Sequence, residues 1–284
     1  MVFLFRILGR LPLPVLHVLG AVLGKLVYWL SPTYRRHLAE NVAQAGLPSS
    51  LHGAIAAETG KQMIELSRIW MRSLDEASAL VREVVGWEHV EAARSRGQGI
   101  VFLTPHLGCF EITAQYLSTF GDITVLYRPP KSEAAQRLIL MGRQRDNLHL
   151  APADLSGVRS LIKALRKGQM VGLLPDQAPK TGEGVWLRFF DREAYTMTLA
   201  ARLTETDAAT LLTWGERLPG GRGYRIHFLP PGEPLSGNTI DRAQQINWQV
   251  ERLIRSCPSQ YLWGYNRYKR PAGAEAPDRR GGAA

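Results

Sequence analysis

Residues 99–116, GIVFLTPHLGCFEITAQY, decide how the rest of the chain is interpreted. The apolar run 100–103 has the length and the β-branched and aromatic content of a buried strand, and Pro105 ends it because proline has no N–H for the ladder. After Gly108 the apolar residues recur at spacings that a helix can cover. The pattern therefore predicts that His106 lies in a turn between a strand and a helix. Open α/β sheets bind their ligands at such strand ends.

The spacing of His106 and Glu111 suggests a pair with a chemical role. Five residues along a regular helix rotate a side chain by about 140°, so the two groups converge only if His106 lies in the turn and Glu111 at the start of the helix. Glu111 could then accept a hydrogen bond from one imidazole nitrogen and stabilise the imidazolium, while the other nitrogen takes a proton from a hydroxyl. No obvious serine nucleophile stands beside the pair. The alternative is a histidine satisfied by a loop carbonyl and a glutamate on a solvated helix face.

Composition narrows the class of protein. The chain has 284 residues, of which 45% are hydrophobic, enough for one large core or two small ones. Its formal net charge is +10, and arginine provides most of the excess, which suits an anionic lipid, an acidic protein or nucleic acid. Nucleic acid is the weaker choice because zinc-finger, RNA-binding and Walker motifs are absent from the sequence.

The two cysteines, Cys109 and Cys257, form neither a disulfide framework nor a metal cluster. Cys109 lies inside the central motif, where a small buried hydrophobe is favoured over a thioester nucleophile. A metal hydrolase is also disfavoured, because one histidine–glutamate pair provides fewer ligands than the three of a catalytic zinc site.

The first thirty residues predict a membrane-associating helix. Residues 11–30 are largely apolar and long enough to cross a bilayer at 1.5 Å per residue. However, Lys25 interrupts them and arginines flank both ends, which suits a helix lying in the interface as well as one that spans. A cleaved signal peptide is disfavoured because no clear small-x-small site follows. A buried amphipathic helix is the alternative.

The remaining sequence predicts an α/β fold with a mostly parallel central sheet flanked by helices. Residues 31–87 are predicted to be helical, and residues 271–284 are predicted to be a disordered tail. Strands are predicted at 122–128, 148–151, 170–174, 209–214 and 224–229, and helices at 132–145, 155–167, 196–204 and 241–255.

Three candidate site residues follow predicted strands. His106 follows the first of these strands, Arg128 the second and Asp176 the fourth. The carboxyl ends of parallel strands share one edge of a sheet, so a base, a cation and a carboxylate could converge there. Arg128 could hold a phosphate or polarise a carbonyl oxygen, and Asp176 could orient a substrate hydroxyl or pair with Arg128. The alternatives are a surface arginine and an ordinary loop turn.

Four parts of the sequence together resemble the bacterial lipid A late acyltransferase family, of the lauroyl and myristoyl type, within the wider glycerolipid acyltransferase-like group. The resemblance covers nearly the whole chain, and its two long segments are the most specific parts. The four parts are the motif from His106 to Glu111, the strand end Tyr127-Arg128, residues 173–203 (LLPDQAPKTGEGVWLRFFDREAYTMTLAARL) and residues 258–269 (PSQYLWGYNRYK).

The resemblance implies a transferase that moves a fatty acyl chain from acyl carrier protein to a hydroxyl of a lipid A precursor. In that scheme His106 is the general base, Glu111 orients it, and Arg128 and Asp176 support the acceptor or the developing oxyanion. Attack is direct, without an acyl-enzyme, and neither a metal nor a cofactor is needed beyond the carrier-protein thioester.

The same resemblance implies an acyltransferase domain over 31–270, preceded by the membrane helix within 1–30. The expected location is the bacterial inner membrane, with the active site on the cytoplasmic side. Two alternatives stay open: the same chemistry on another membrane lipid, such as a lysophospholipid, an ornithine lipid or a phosphatidylinositol mannoside, or a membrane-surface binding protein with a degenerate site.

Overall fold

The computed structural model describes residues 2–130 and 132–277. The described chain alternates helices and strands after an entirely helical start. The helices are α1 (Val2–Leu8), α2 (Leu13–Leu30), α3 (Pro32–Gln44), α4 (His52–Met71), α5 (Leu74–Ser78), α6 (Trp87–Ser95), α7 (Phe110–Leu117), α8 (Glu133–Arg143), α9 (Leu155–Arg166), α10 (Leu199–Thr204) and α11 (Thr239–Ser256). The strands are β1 (Val81–Val85), β2 (Ile100–Leu103), β3 (Ile123–Tyr127), β4 (Leu148–Pro152), β5 (Met170–Leu173), β6 (Gly184–Phe189), β7 (Arg192–Met197), β8 (Ala209–Arg217) and β9 (Tyr224–Leu229).

Seven strands form one sheet in the order β1-β9-β8-β2-β5-β3-β4. Only the β8–β9 pair of this sheet is antiparallel. Helices cover both faces, so the predicted α/β fold with a mostly parallel sheet is confirmed. Strands β2, β5 and β3 are neighbours, so the segments that follow them leave the sheet at the same edge.

The central strand β2 is buried on both faces, which explains its continuous apolar sequence. Because side chains alternate along a strand, Val101 and Leu103 belong to one core and Ile100 and Phe102 to the other. The first core includes residues of α9, α10 and α11, and the second includes residues of α4, α6 and α7. The sheet therefore separates two apolar layers.

Two secondary-structure predictions are wrong. Residues 81–85, predicted to be helical, form the edge strand β1, which pairs with β9 and keeps its charged side chains exposed. Residues 196–197, also predicted to be helical, end the strand β7 of a hairpin with β6. The turn of this hairpin places Phe190 and Asp191 at positive φ without the Asn-Gly or Asp-Gly signal that usually marks such turns.

The two ends of the chain also differ from a simple reading of the sequence. The first thirty residues contain two helices, and α2 is the one helix of the described chain long and apolar enough to cross a membrane. At the other end, Trp186 donates to the carbonyl of Glu275, and Thr181 donates to the carbonyl of Ala272. The predicted disorder therefore does not begin at residue 271, and residues 278–284 lie outside the described part.

Candidate active site

His106 and Asp176 form a hydrogen-bonded pair at the carboxyl edge of the sheet. The imidazole Nδ1–H donates to Asp176 Oδ1 at 2.9 Å, and the backbone N–H of His106 donates to Oδ2 at 3.0 Å. The two residues follow the adjacent strands β2 and β5. Burial raises the pKa of Asp176, but the imidazole charge and these hydrogen bonds outweigh it and hold the pKa below its ordinary value. The carboxylate thus stays charged and fixes both the ring and the turn.

The other imidazole nitrogen, Nε2, contacts an amide side chain and no carboxylate. Gln177 Nε2 donates to His106 Nε2 at 3.1 Å, and the edge of the Phe110 ring lies beside the imidazole. The side chain of His106 is 16% exposed. A ring held at Nδ1 by a carboxylate, with an amide as the partner of Nε2, is suited to accept a proton at Nε2 from a hydroxyl.

The hydrogen bonds of Glu111 go to residues other than His106, so the structure does not bring together the pair expected from the sequence. Its carboxylate accepts hydrogen bonds from Trp70 Nε1 at 3.0 Å and from Arg143 Nε at 2.9 Å, and it also contacts Arg143 Nη2. Burial lowers the pKa of Arg143, but the Glu111 charge outweighs it and raises that pKa. Glu111 therefore connects the start of α7 to α4 and α8.

Arg128 does not pair with Asp176, the second pairing that the sequence allowed. It lies 3.6 Å from Glu183, and both side chains are about half exposed. An ion pair of this kind contributes little to stability. Arg128 instead lines a groove of about 1140 Å³ whose lining includes neither His106 nor Asp176.

This groove is amphipathic. It extends from residues that precede β2 and β8, at the amino ends of these strands, to residues that follow β3, at the carboxyl edge. Its apolar lining includes Leu126, Val158, Ile162 and Met197. Its charged lining is balanced, with the basic residues Arg128, Arg166, Lys180 and Arg202 and the acidic residues Asp154, Glu183, Glu205 and Asp207. The volume exceeds the upper end of the usual range for small-molecule pockets, about 300–1,000 Å³.

The turn that carries His106 is clamped by the C-terminal part of the chain. The backbone N–H of Leu262 donates to the carbonyl of His106 at 3.1 Å, and the N–H of Gly108 donates to the carbonyl of Gln260 at 3.0 Å. Gly108 has φ +59°, and a Cβ there would lie 2.1 Å from the carbonyl oxygen of Gly215. Glycine is therefore required at this position.

A buried polar network holds the same turn from behind. Arg217 Nη2 and Gln62 Nε2 both donate to the carbonyl of Gly108, at 2.9 and 3.2 Å. Arg217 is paired with Glu65 at 2.7 Å, and Glu65 also accepts from Tyr224 at 3.0 Å. Burial raises the pKa of Glu65, but Arg217 and His17 outweigh it and lower the pKa to about 2. The turn therefore rests on a charged pair with little freedom to move.

Cys109 is ill suited to be a nucleophile. It is buried, and burial together with the neighbouring charge of Glu65 raises the pKa of its thiol well above the ordinary value. Because the thiolate is the reactive form, this environment makes the group inert. The interpretation of Cys109 as a small buried hydrophobe agrees with the structure.

Comparison with known proteins decides the family. Residues 1–270 match the family described as bacterial lipid A biosynthesis acyltransferase. The chain belongs to this family. The match includes the His106 turn, the segment with Asp176 and the C-terminal clamp, so the resemblance expected from the sequence motifs is confirmed.

Individual relatives agree with the membership. A lipid A biosynthesis lauroyltransferase of Escherichia coli is 28% identical over 274 residues, covering 93% of this chain and 89% of the relative. A lipid A biosynthesis palmitoleoyltransferase of the same organism is 26% identical over 279 residues, covering 93% and 88%. A phosphatidylinositol mannoside acyltransferase of Mycobacterium tuberculosis is 28% identical over 240 residues, covering 80% and 73%. This acyltransferase thus resembles enzymes whose names give different acceptors.

The sequence patterns do not predict the polar network around Gly108. Its residues Gln62, Glu65, Arg217 and Tyr224 come from α4, β8 and β9 and are far apart in the chain. The available signal was an ionisable residue, Glu65, among the apolar positions of a helix. Within the described residues no group of three or more His, Cys, Asp or Glu side chains could hold a metal ion.

Proposed function

We propose that this acyltransferase moves a fatty acyl chain from acyl carrier protein to a hydroxyl of a lipid A precursor, with His106 as the general base and Asp176 as its orienting group. The observation that carries the proposal is the arrangement of His106, with Nδ1 bound to a buried carboxylate and the imidazole partly exposed. Membership in the lipid A biosynthesis acyltransferase family supports the reaction class.

The chemical steps follow from this arrangement. Nε2 of His106 takes the proton of the acceptor hydroxyl while the oxygen attacks the thioester carbonyl carbon. Asp176 stabilises the imidazolium that forms, because its charge faces Nδ1–H. The carbon–sulfur bond then breaks, and the leaving thiolate takes the proton from Nε2. The scheme forms no acyl-enzyme and uses neither a metal nor a cofactor.

The substrates are matched to the charge and shape of the protein. A net charge of +10 favours an acidic carrier protein and a phosphorylated lipid. We assign the amphipathic groove to a lipid chain because of its apolar side chains, and we place a phosphate or the reacting carbonyl near Arg128, which lines the groove where β3 ends. Glu111 acts at a distance in this proposal, by fixing the start of α7.

The exposed apolar side chains of α1 and α2 support work at a membrane. We place the enzyme at the bacterial inner membrane with its active site on the cytoplasmic side, where a carrier-protein donor is available.

A second candidate is the same reaction on another membrane lipid. The relative that acylates phosphatidylinositol mannoside is as similar in identity, at 28%, as the lauroyltransferase. The pair of His106 and Asp176 would serve either acceptor, so the catalytic geometry does not separate the two.

Acyl transfer by the purified protein tests the proposal. The donors would be acyl carrier protein loaded with several chain lengths, and the acceptors would be a lipid A precursor, a phosphatidylinositol mannoside and a lysophospholipid. The proposal expects transfer to the lipid A precursor that is lost in His106→Ala. Transfer only to another lipid would support the second candidate. No transfer to any acceptor by folded protein would contradict both and favour a binding role.

A further inference from the structure

The inner face of α2 is docked on α4 along the length of the helix. The two backbones approach closely, since a Cβ on Gly60 would lie 1.9 Å from the carbonyl oxygen of Gly20, and one on Gly24 would lie 2.0 Å from that of Ala56. At the end of α2, Tyr28 OH donates to His52 Nδ1 at 3.3 Å. Helix α2 is therefore part of the globular body.

A buried polar contact reinforces this docking. His17 Nε2 lies 3.0 Å from Glu65 Oε2, and both side chains are almost completely buried. Glu65 is the same carboxylate that pairs with Arg217 behind the catalytic turn. Undocking α2 would remove the His17 partner of Glu65 and expose this buried carboxylate to the surroundings of α2, which is unfavourable where those surroundings are lipid.

The outer face of α2 is apolar and exposed. Its side chains at three successive positions along the axis, Val15, Val22 and Leu30, are 43, 61 and 72% exposed. The face is continued by α1, where Phe3 is 76% exposed, and Trp29, the residue before the last of α2, is exposed as well. A soluble monomer seldom exposes so continuous an apolar surface.

Charges lie beside this face rather than within it. The 3.6-residue period places Lys25 between the inner and the outer face of α2, where its ammonium group can reach the lipid headgroups. Arg6 on α1, Arg10 before α2 and Arg36 on α3 are exposed as well. A basic rim around an apolar face complements a bilayer that contains anionic lipids.

We propose that α1 and α2 lie in the plane of the membrane interface, with the outer face of α2 inserted into a bilayer containing anionic phospholipid, and that α2 does not span it. A spanning α2 would either leave α4 or draw it into the hydrocarbon. The first option breaks the contact of His17 with Glu65, and the second buries Glu58 and Lys61 of α4 in lipid. This inference deepens the membrane part of the proposed function.

Label depth along α2 tests the proposal. Full-length protein in a Cys257→Ser background would carry a nitroxide on a cysteine introduced at Val15, Val22 or Leu30, bound to vesicles of phosphatidylcholine and phosphatidylglycerol in equal parts. Collisions with oxygen and with a polar nickel chelate report depth. An in-plane helix places all three labels at similar depths, within about 5–10 Å of the headgroup boundary.

A spanning helix gives a different profile. It places the label at residue 22 near the bilayer centre, about 15 Å deep, with the labels at 15 and 30 near opposite surfaces. That profile would overturn the proposal, and so would a protein that dimerises and leaves the vesicles unbound. A label at Ile240, an exposed apolar residue of α11, is the matched control and stays accessible to the polar reagent. The readout needs no substrate, so it is independent of whether the proposed reaction occurs.

Discussion

At the scale of single residues, the proposed base His106 is positioned by a neighbour in space rather than by a neighbour in sequence. Asp176 contacts both the imidazole and the backbone N–H of His106. A carboxylate that binds the ring and the turn together restricts both the tautomer and the direction of Nε2. Glu111 has other hydrogen-bond partners, so its substitution is expected to have a different effect from that of Asp176.

We expect Glu111→Gln and Arg143→Gln to have similar effects, because both break the same largely buried ion pair. Each should lower the stability by about 3 kcal/mol, as is typical of breaking a buried pair, and lower kcat through displacement of α7. The double variant should lose much less than the sum. Urea unfolding and kcat on the four proteins measure this. A large loss of kcat in Glu111→Gln with normal activity in Arg143→Gln would indicate that Glu111 takes part directly in the reaction.

Arg128 makes a prediction about acceptor binding. If its charge faces a phosphate in the groove, Arg128→Ala should raise KM for the phosphorylated acceptor about tenfold, near 1.4 kcal/mol, while kcat changes little. Arg128→Lys should restore part of the affinity if charge alone matters. Arg137→Ala is the control, since Arg137 is exposed and also paired with a glutamate. Equal KM values for the Arg128→Ala and Arg137→Ala variants would show that Arg128 does not contribute to binding of the acceptor.

At the scale of elements, the turn from His106 to Gly108 is held by α4, β8 and the segment after α11. Gln62, Arg217 and Gln260 each make a hydrogen bond to Gly108. None of these groups touches the imidazole, so we regard them as positioning residues. Small errors in the placement of a catalytic group are costly, up to about 10²-fold for 1 Å.

Gln62→Leu tests this positioning with a matched control. Gln62 and Asn247 are both 2% exposed and both donate to a backbone carbonyl, but Asn247 binds Arg188 on β6. Both leucine variants should lose similar stability. Only Gln62→Leu should lower kcat, by about tenfold and with an unchanged donor KM, because the carbonyl of Gly108 loses one of its two side-chain donors. The same kcat in both variants would show that Gln62 is merely structural.

The strand-to-helix unit around His106 could be predicted because its signals are local: a buried strand, a proline and a helical period. The convergence of the ends of β2, β3 and β5 followed from the parallel sheet. The partner of His106 could not be predicted, because it depends on β5 lying next to β2, whereas Glu111 was the nearest carboxylate in sequence. The network of Glu65 and Arg217 joins residues 152 positions apart, which no local pattern reports.

At the scale of the whole molecule, one buried carboxylate connects α2 to the turn that carries His106. Glu65 contacts His17 on α2, Arg217 on β8 and Tyr224 on β9, and Arg217 also lies near Glu58. The stability of the fold, the docking of α2 and the position of Gly108 therefore all depend on the charge of Glu65.

The pKa of Glu65 predicts acid sensitivity of the fold. Its pKa falls from an ordinary 4.5 to about 2 in the folded protein, so the charged form stabilises the fold above pH 4.5, and this contribution is lost as the pH falls toward 2. Glu65→Gln should therefore be less stable than the wild type at neutral pH, by an amount that shrinks between these pH values. Urea unfolding at several pH values measures the difference. A difference in stability between the two proteins that does not change with pH would contradict the lowered pKa of Glu65.

The most direct test of the central claim is the kcat of Asp176→Asn in the transfer of an acyl chain from acyl carrier protein to the best acceptor. Asparagine keeps the size of the side chain but removes the charge that faces His106 Nδ1. We expect a fall in kcat of at least about 10²-fold with KM values nearly unchanged, because Asp176 is buried and acts through the base. A kcat close to that of the wild type, in protein shown to be folded, would contradict it.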